Sequence, residues 1–107
     1  DDIKEKTFTW VVSNATDGRI LGPKMDICGS PRIFNVSTTG DLECDVNICY
    51  GDVDSKIPIL SRNLKATPSG YVSYGTFTGS LSSGDWLILN VSNVKGKGQL
   101  LVTLNIR

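Results

Sequence analysis

The sequence predicts an all-β protein, a single antiparallel β-sandwich of about seven or eight strands that spans residues 1–107. In residues 100–107 the side chains alternate between apolar and mostly polar ones, which is the period of a strand with one face in a core. Short clusters of Gly, Pro, Ser and Asp recur at the spacing expected of a sandwich or barrel. No window of about eleven residues carries a helical apolar period.

Seven segments are predicted to be strands, and their alternation assigns a core face to most of them. The first turns Phe8 and Trp10 to one side, whereas the fourth contains Pro58 and therefore suits an edge. The sixth is apolar on both faces, which predicts a central strand with Trp86 in the core. The segments are residues 7–13, 32–37, 41–50, 57–60, 71–81, 85–91 and 100–107. One helical turn is expected at residues 61–64, and the topology is either immunoglobulin-like or a jelly roll.

The balance of acidic and basic residues argues against a nucleic-acid partner. Eleven basic and eleven acidic residues cancel, whereas a domain that binds phosphate backbones usually has a net positive face. We therefore expect no nucleic-acid partner.

The longest run of aliphatic or aromatic residues, 86–89, is far too short to span a bilayer, so no membrane insertion of this domain is expected. Because the chain opens on Asp1 without Met or an apolar leader, we expect a mature product or an excised domain.

Catalysis is disfavoured by composition. The chain has no His, which is the usual general base, triad partner and metal ligand. A Ser–Lys dyad or a carboxylate pair remains open, but Ser82 and Ser83 precede Gly84-Asp85 in what the sequence indicates is a hairpin turn. The acidic residues lie on a polar strand face rather than in an apolar pocket that would raise a carboxyl pKa. The sequence favours a protein that is not an enzyme.

The acidic residues near the middle of the chain form the first candidate site. Asp45 lies on a predicted strand with other carboxylates, and Asp52 and Asp54 follow the turn at Gly51. Oxygen ligands gathered from a strand end and the next loop are the kind that Ca²⁺ prefers. The alternative is a solvated face that protects an edge from pairing. No cofactor is expected other than this calcium candidate.

Aromatic and hydroxyl side chains form the second candidate site. Tyr74 shares a predicted strand face with Thr76 and Thr78, a mostly polar face that water should reach. A sugar ring can stack on such a Tyr and hydrogen-bond to the hydroxyls around it, and Tyr50 at a strand end is a second candidate. The alternative is an isolated exposed Tyr without a function.

Three cysteines leave at least one thiol unpaired within the chain. On a straight strand Cys44 and Cys49 would point to opposite faces, roughly 17 Å apart, so a direct bridge is not expected. Cys28 is expected to bond one of them, or all three thiols are free. Zinc is not supported, since there is no His and no C-x-x-C. Of three Asn-x-Ser/Thr triplets, Asn14 is the one expected in a loop and able to carry a glycan.

These observations together predict an extracellular or surface-exposed binding module, located outside the cell or on a cell or virion surface. Its expected ligand is carbohydrate or another cell-surface component, such as a surface protein. The alternative is a structural subunit of a surface assembly (a pilus, archaellum or virion spike) that acts through protein–protein contacts, and self-association is open in both cases. A small secreted effector or inhibitor is a third option.

Overall fold

The computed structural model describes residues 6–74, 77 and 79–107, and for residues 71–74 it describes the backbone alone. Eight strands are present in this part of the chain, in two sheets and without helix. They are β1 (Lys6–Ser13), β2 (Gly18–Lys24), β3 (Pro31–Thr38), β4 (Glu43–Gly51), β5 (Leu64–Ala66), β6 (Tyr71–Tyr74), β7 (Trp86–Lys95) and β8 (Gln99–Ile106). The prediction of an all-β antiparallel sandwich is confirmed.

The strand order is that of a jelly roll. One sheet, here called sheet A, has the order β1-β8-β3-β6, and the other, sheet B, has the order β2-β7-β4-β5. The pairs β1·β8, β2·β7, β3·β6 and β4·β5 are all antiparallel, as if a long hairpin had been wrapped around a core. An immunoglobulin sandwich would instead pair β1 with β2 in one sheet.

The core lies between the sheets and follows the alternation in the sequence. On β8 the inward side chains are fully buried, and on β1 both Phe8 and Trp10 are buried. β7 is covered on both sides, because Leu87 and Leu89 point into the core and Ile88 is buried on the outer face. This confirms the prediction of a central, doubly covered strand.

Two strands were not predicted, and one predicted element is absent. β2 begins with Gly18 and contains Gly22-Pro23, so its sequence resembles two turns. Most of its residues are exposed, and the strand depends on pairing with β7. β5 is only three residues long. The predicted helical turn at 61–64 is wrong: this stretch is a bend that leads into β5, whose Leu64 pairs with Val46 of β4.

The predicted strand at residues 57–60 is reduced to isolated bridges. Pro58 pairs with Cys49, and the amide of Ile59 donates a 2.8 Å hydrogen bond to the carbonyl of Ile48. Leu60 pairs on its other side with Phe77. The segment lies on the β5 side of β4, where a proline is tolerated.

Two turns at one end of the sandwich are joined by two hydrogen bonds, one of which is accepted by a side chain. The β3–β4 turn and the β7–β8 turn are joined by the Lys97 amide, which donates to the Asp41 carboxylate at 2.9 Å, and by the Asp41 amide, which donates to the Lys97 carbonyl at 3.3 Å. Gly40 has a φ of 67°, and a Cβ there would lie 2.6 Å from the Lys97 carbonyl oxygen. Glycine at this position allows the two turns to approach.

Candidate functional site

Tyr74 lies in β6 at the edge of sheet A, where its backbone pairs with Ile33 of β3. Thr76 and Thr78, the hydroxyl residues predicted to share its face, lie outside the described residues. The strand itself is shorter than predicted, since β6 ends at Tyr74 and residues 77 and 81 form isolated bridges. The register across the sheet, however, identifies the neighbours of Tyr74 on the other strands.

The outer face of sheet A (the face turned away from the core, on β1, β3 and β8) is polar and nearly free of charge. One cross-strand row runs Thr7, Asn105, Ile33 and ends at Tyr74, and a second runs through Thr9, Thr103 and Asn35 to residue 72. Apart from Arg32, which is exposed where the register shifts at the start of β3, the outward positions on these three strands hold hydroxyl, amide or aliphatic side chains. They are Thr7, Thr9, Val11, Ser13, Ile33, Asn35, Ser37, Gln99, Leu101, Thr103 and Asn105.

Cross-strand hydrogen bonds order part of this face. The Asn105 Nδ2 donates to Thr7 Oγ1 at 3.2 Å, and Gln99 Nε2 approaches Ser13 Oγ at 3.5 Å. The two amide side chains can form further hydrogen bonds, because an amide offers two donors and two acceptor lone pairs. Away from Arg32, the face therefore presents uncharged hydrogen-bond donors and acceptors on a rigid sheet.

Tyr50 does not share that face. It is the penultimate residue of β4, in sheet B, and its half-buried ring packs against the core. Its hydroxyl lies where a Cβ on Gly79 would be, so a side chain at that position would collide with it. The strand-end position predicted for Tyr50 is confirmed, but the ring is not an open platform beside Tyr74.

The proposed calcium ligands are not brought together. Asp45 and Gly51 lie on one straight strand, roughly 20 Å apart, so Asp52 and Asp54 are at the other end of sheet B from Asp45. Asp45 instead accepts a 2.7 Å hydrogen bond from Asn93 Nδ2. Within residues 6–74, 77 and 79–107, no cluster of three or more His, Cys, Asp or Glu is arranged to hold a metal ion.

Each end of β4 adjoins a separate depression. Asp52, Asp54 and the residues that follow line a shallow one of about 480 Å³. A cleft of about 240 Å³ at the other end is lined by Glu43, Cys44, Asp45, Lys65, Asn93 and Lys95. Glu43 and Lys65 form a 3.4 Å ion pair there, between side chains that are largely exposed. Its charges are mixed, which gives the cleft no preference for a ligand of one sign.

The turn that the sequence predicted before β7 is present, but it is not a hairpin turn, because Leu81 bridges to Gly29 whereas β7 pairs with β2 and β4. The Ser82 amide donates to Asp85 Oδ2 at 2.9 Å, and the Asp85 amide donates to the Ser82 carbonyl at 3.0 Å. The Gly84 amide in turn donates to the Met25 carbonyl at 2.8 Å. The Asp85 carboxylate therefore stabilises the turn.

Trp86 is an aromatic side chain whose position was predicted wrongly. It is half-buried on the outer face of sheet B, outside the core cluster, and the Lys24 ammonium lies 5.8 Å from its ring centroid. Since Leu87 and Leu89 point inward, the alternation sends Trp86 outward. Because both faces of this strand are apolar, the sequence alone could not show which one meets the core.

All three cysteines are free thiols. Cys44 is buried in the core, whereas Cys49 is buried on the opposite side of β4, so the prediction that the strand forbids a direct bridge between them is confirmed. Cys28 is exposed. Burial raises the pKa of the Cys44 thiol above its ordinary value of 9.0, and the negative charges of Asp45 and Asp17 raise it further.

Alkaline conditions should therefore destabilise the fold through Cys44. A raised pKa in the folded state means that, above about pH 9, the unfolded chain releases this proton while the folded chain retains it, and the free energy of unfolding falls. Urea unfolding under reducing conditions, repeated from pH 7 to 10.5, measures the fall. Cys44→Ala should flatten the alkaline part of this profile. Identical profiles for wild type and Cys44→Ala would contradict the assignment.

Asn14 occupies an exposed turn after β1. Its φ is 53°, and its backbone amide donates to the Gly98 carbonyl at 3.1 Å. This bond does not use the side-chain amide. The predicted loop position is confirmed, and glycosylation at Asn14 stays a prediction.

No family model, curated protein or solved structure matches this chain. Among the described residues there is also no helix with the length and apolar character needed to cross a membrane.

Proposed function

We propose that this domain is a non-enzymatic binding module, extracellular or exposed on a cell or virion surface, that recognises carbohydrate through the outer face of sheet A. The observation that carries the proposal is that no outward position in the regular parts of β1, β3 and β8 is charged, Arg32 at the register shift that begins β3 being the exception, in a chain that is 21% charged. Hydroxyl and amide groups on a flat, rigid surface match the hydroxyls of a neutral sugar chain. Jelly rolls are used in this way by lectin domains.

Tyr74 has a defined part in this proposal. Its backbone position ends the cross-strand row that contains Ile33, Asn105 and Thr7, at the open edge of the sheet. An aromatic ring at that edge would stack on a sugar, while Asn105 and Thr103 hydrogen-bond to it. Because no formal charge takes part, the affinity should depend little on ionic strength.

A glycan array followed by titration calorimetry tests the proposal. We expect binding to a neutral glycan with a dissociation constant between about 1 μM and 1 mM, or roughly 4–8 kcal/mol. Tyr74→Ala and Asn35→Ala should each weaken binding about tenfold or more, whereas Leu21→Ala, an exposed position on sheet B, should not. Raising the salt from about 50 mM to 500 mM should change the affinity less than twofold. A blank array, or binding only to acidic glycans with a steep salt dependence, would contradict the proposal.

A structural subunit of a surface assembly is the second candidate, and one observation favours it. Val11 is 60% exposed on β1, at the edge of the same face, beside the partly buried Leu101 with which it pairs. Exposed aliphatic side chains next to polar ones are found at protein–protein contacts, and jelly rolls also build viral capsids. In that case the array is blank, and light scattering shows particles of many copies or a pull-down returns a surface protein.

A further inference from the structure

A sheet edge exposes unpaired backbone groups, and three of the four edges of this sandwich carry features that prevent pairing with another chain. β2 has a register shift between Leu21 and Lys24 and contains Pro23. β5 and β6 are only three and four residues long. Such bulges, prolines and short strands are the usual protections of exposed edges.

The fourth edge, β1, has none of these protections. It is eight residues long and pairs with β8 over its whole length without a register shift. From Thr7 to Ser13 it contains no charged residue, proline or glycine. Within the part of the chain that the structure describes, β8 is its single strand partner. Lys6 begins the strand, and its ammonium contacts the Asp26 carboxylate. A long, regular edge that is uncharged from Thr7 onward is a site for adding another strand.

The side chains of β1 are arranged so that the strand complements itself. If two copies pair antiparallel about Trp10, the outward Thr9 meets the outward Val11 of the other copy, and the inward Phe8 meets the inward Val12. At the ends Thr7 meets Ser13, so a hydroxyl faces a hydroxyl. Aromatic with β-branched, and hydroxyl with hydroxyl, are favourable cross-strand pairs, and no like charges face each other.

We propose that β1 pairs with β1 of a second copy of this chain, antiparallel and centred on Trp10, to form a two-fold dimer. The axis of such a pair is perpendicular to the sheets, so the two copies of sheet A would join into one eight-stranded sheet. Each dimer uses both β1 edges, and the association therefore closes at two copies. The proposal is independent of the ligand, although the polar outer faces of the two copies would become continuous.

Sedimentation and light scattering across protein concentrations test the dimer. A contact along one strand is small, so the measurements should extend to about 1 mM protein. We expect the mass to double with concentration and to stop at two copies. Val11→Lys should weaken dimerisation at least tenfold, because the two added ammoniums would be diagonal neighbours across the pair. Ile57→Lys, at a comparably exposed position on the β5 side of sheet B and so away from β1, should leave dimerisation unchanged.

Cysteine crosslinking in a Cys28→Ser background tests the register. Thr9→Cys combined with Val11→Cys places two thiols opposite each other in each pair and should give a disulfide-linked dimer on mild oxidation. Thr7→Cys should not crosslink, because the two thiols would be six residues out of register, roughly 20 Å apart. The proposal is overturned by a protein that stays monomeric to about 1 mM, by larger oligomers, by a dimer insensitive to Val11→Lys, or by crosslinking through Thr7→Cys. None of these outcomes depends on glycan binding, and circular dichroism confirms that each variant is folded.

Discussion

Phe34→Ala should lower the free energy of unfolding by about 3–5 kcal/mol, the cost of removing a large ring from a filled core and leaving a cavity. Phe34 is fully buried on β3, between β8 and β6 in sheet A. Single domains are stable by about 5–15 kcal/mol, so this one change would remove a large share of the total. Urea unfolding followed by circular dichroism measures it, and Ile48→Val, expected to cost about 1 kcal/mol, gives a milder core variant that should stay folded.

The matched comparison for this prediction is Trp86→Ala. The Trp side chain is larger than Phe, yet it is half-buried on the outer face of sheet B, so its loss should cost closer to 1 kcal/mol. If Trp86→Ala proved as damaging as Phe34→Ala, Trp86 would belong to the core and the outer-face assignment would be wrong. Trp10 remains as a fluorescence probe in that variant.

Gly40→Ala should destabilise the fold by about 2 kcal/mol or more. The residue has a left-handed φ of 67°, which costs an L-residue roughly 1–2 kcal/mol, and the new Cβ would lie 2.6 Å from the Lys97 carbonyl oxygen. Because that oxygen belongs to the backbone of the β7–β8 turn, relief requires the turns to separate. Thermal and urea unfolding both report the loss.

Gly84→Ala separates the cost of a positive φ from the cost of the collision with the neighbouring turn. Gly84 also has a positive φ, 96°, but an added Cβ there meets nothing within 4 Å. It should therefore show the conformational cost without the collision. Equal losses for Gly40→Ala and Gly84→Ala would mean that the contact between the turns contributes nothing to stability.

Alternation in the sequence was sufficient to predict the strands that bury one face. On β8 every second residue proved buried, because a period of two gives a one-sided strand a single orientation in which its apolar side chains are covered. On β4 the predicted inward residues are buried as well, but so are Asn47 and Cys49 on the face predicted to be polar. Where both faces are apolar, as around Trp86, the same argument cannot choose between them. β2 escaped prediction because its sequence is poor in strand formers and its pairing with β7 comes from distant parts of the chain.

The candidate site, too, was predicted from the sequence only in part. The sequence placed Tyr74 on a strand, but its neighbours Ile33, Asn105 and Thr7 come from three other strands. Their register is set by the jelly-roll order, which no local pattern reveals. The calcium hypothesis was wrong in grouping Asp45 with Asp52 for a related reason: closeness in sequence along an extended strand means separation in space.

The strand order has a consequence for how the chain can fold as it is synthesised. β7 and β8 are the last strands to emerge, yet each is an inner strand, β7 between β2 and β4 and β8 between β1 and β3. Until residues 86–106 are available, β1 and β2 have no partner, and their apolar side chains stay exposed. Neither sheet can close from the N-terminal side alone, so folding must wait for the final strands and should be slow, as it is for proteins dominated by non-local pairing.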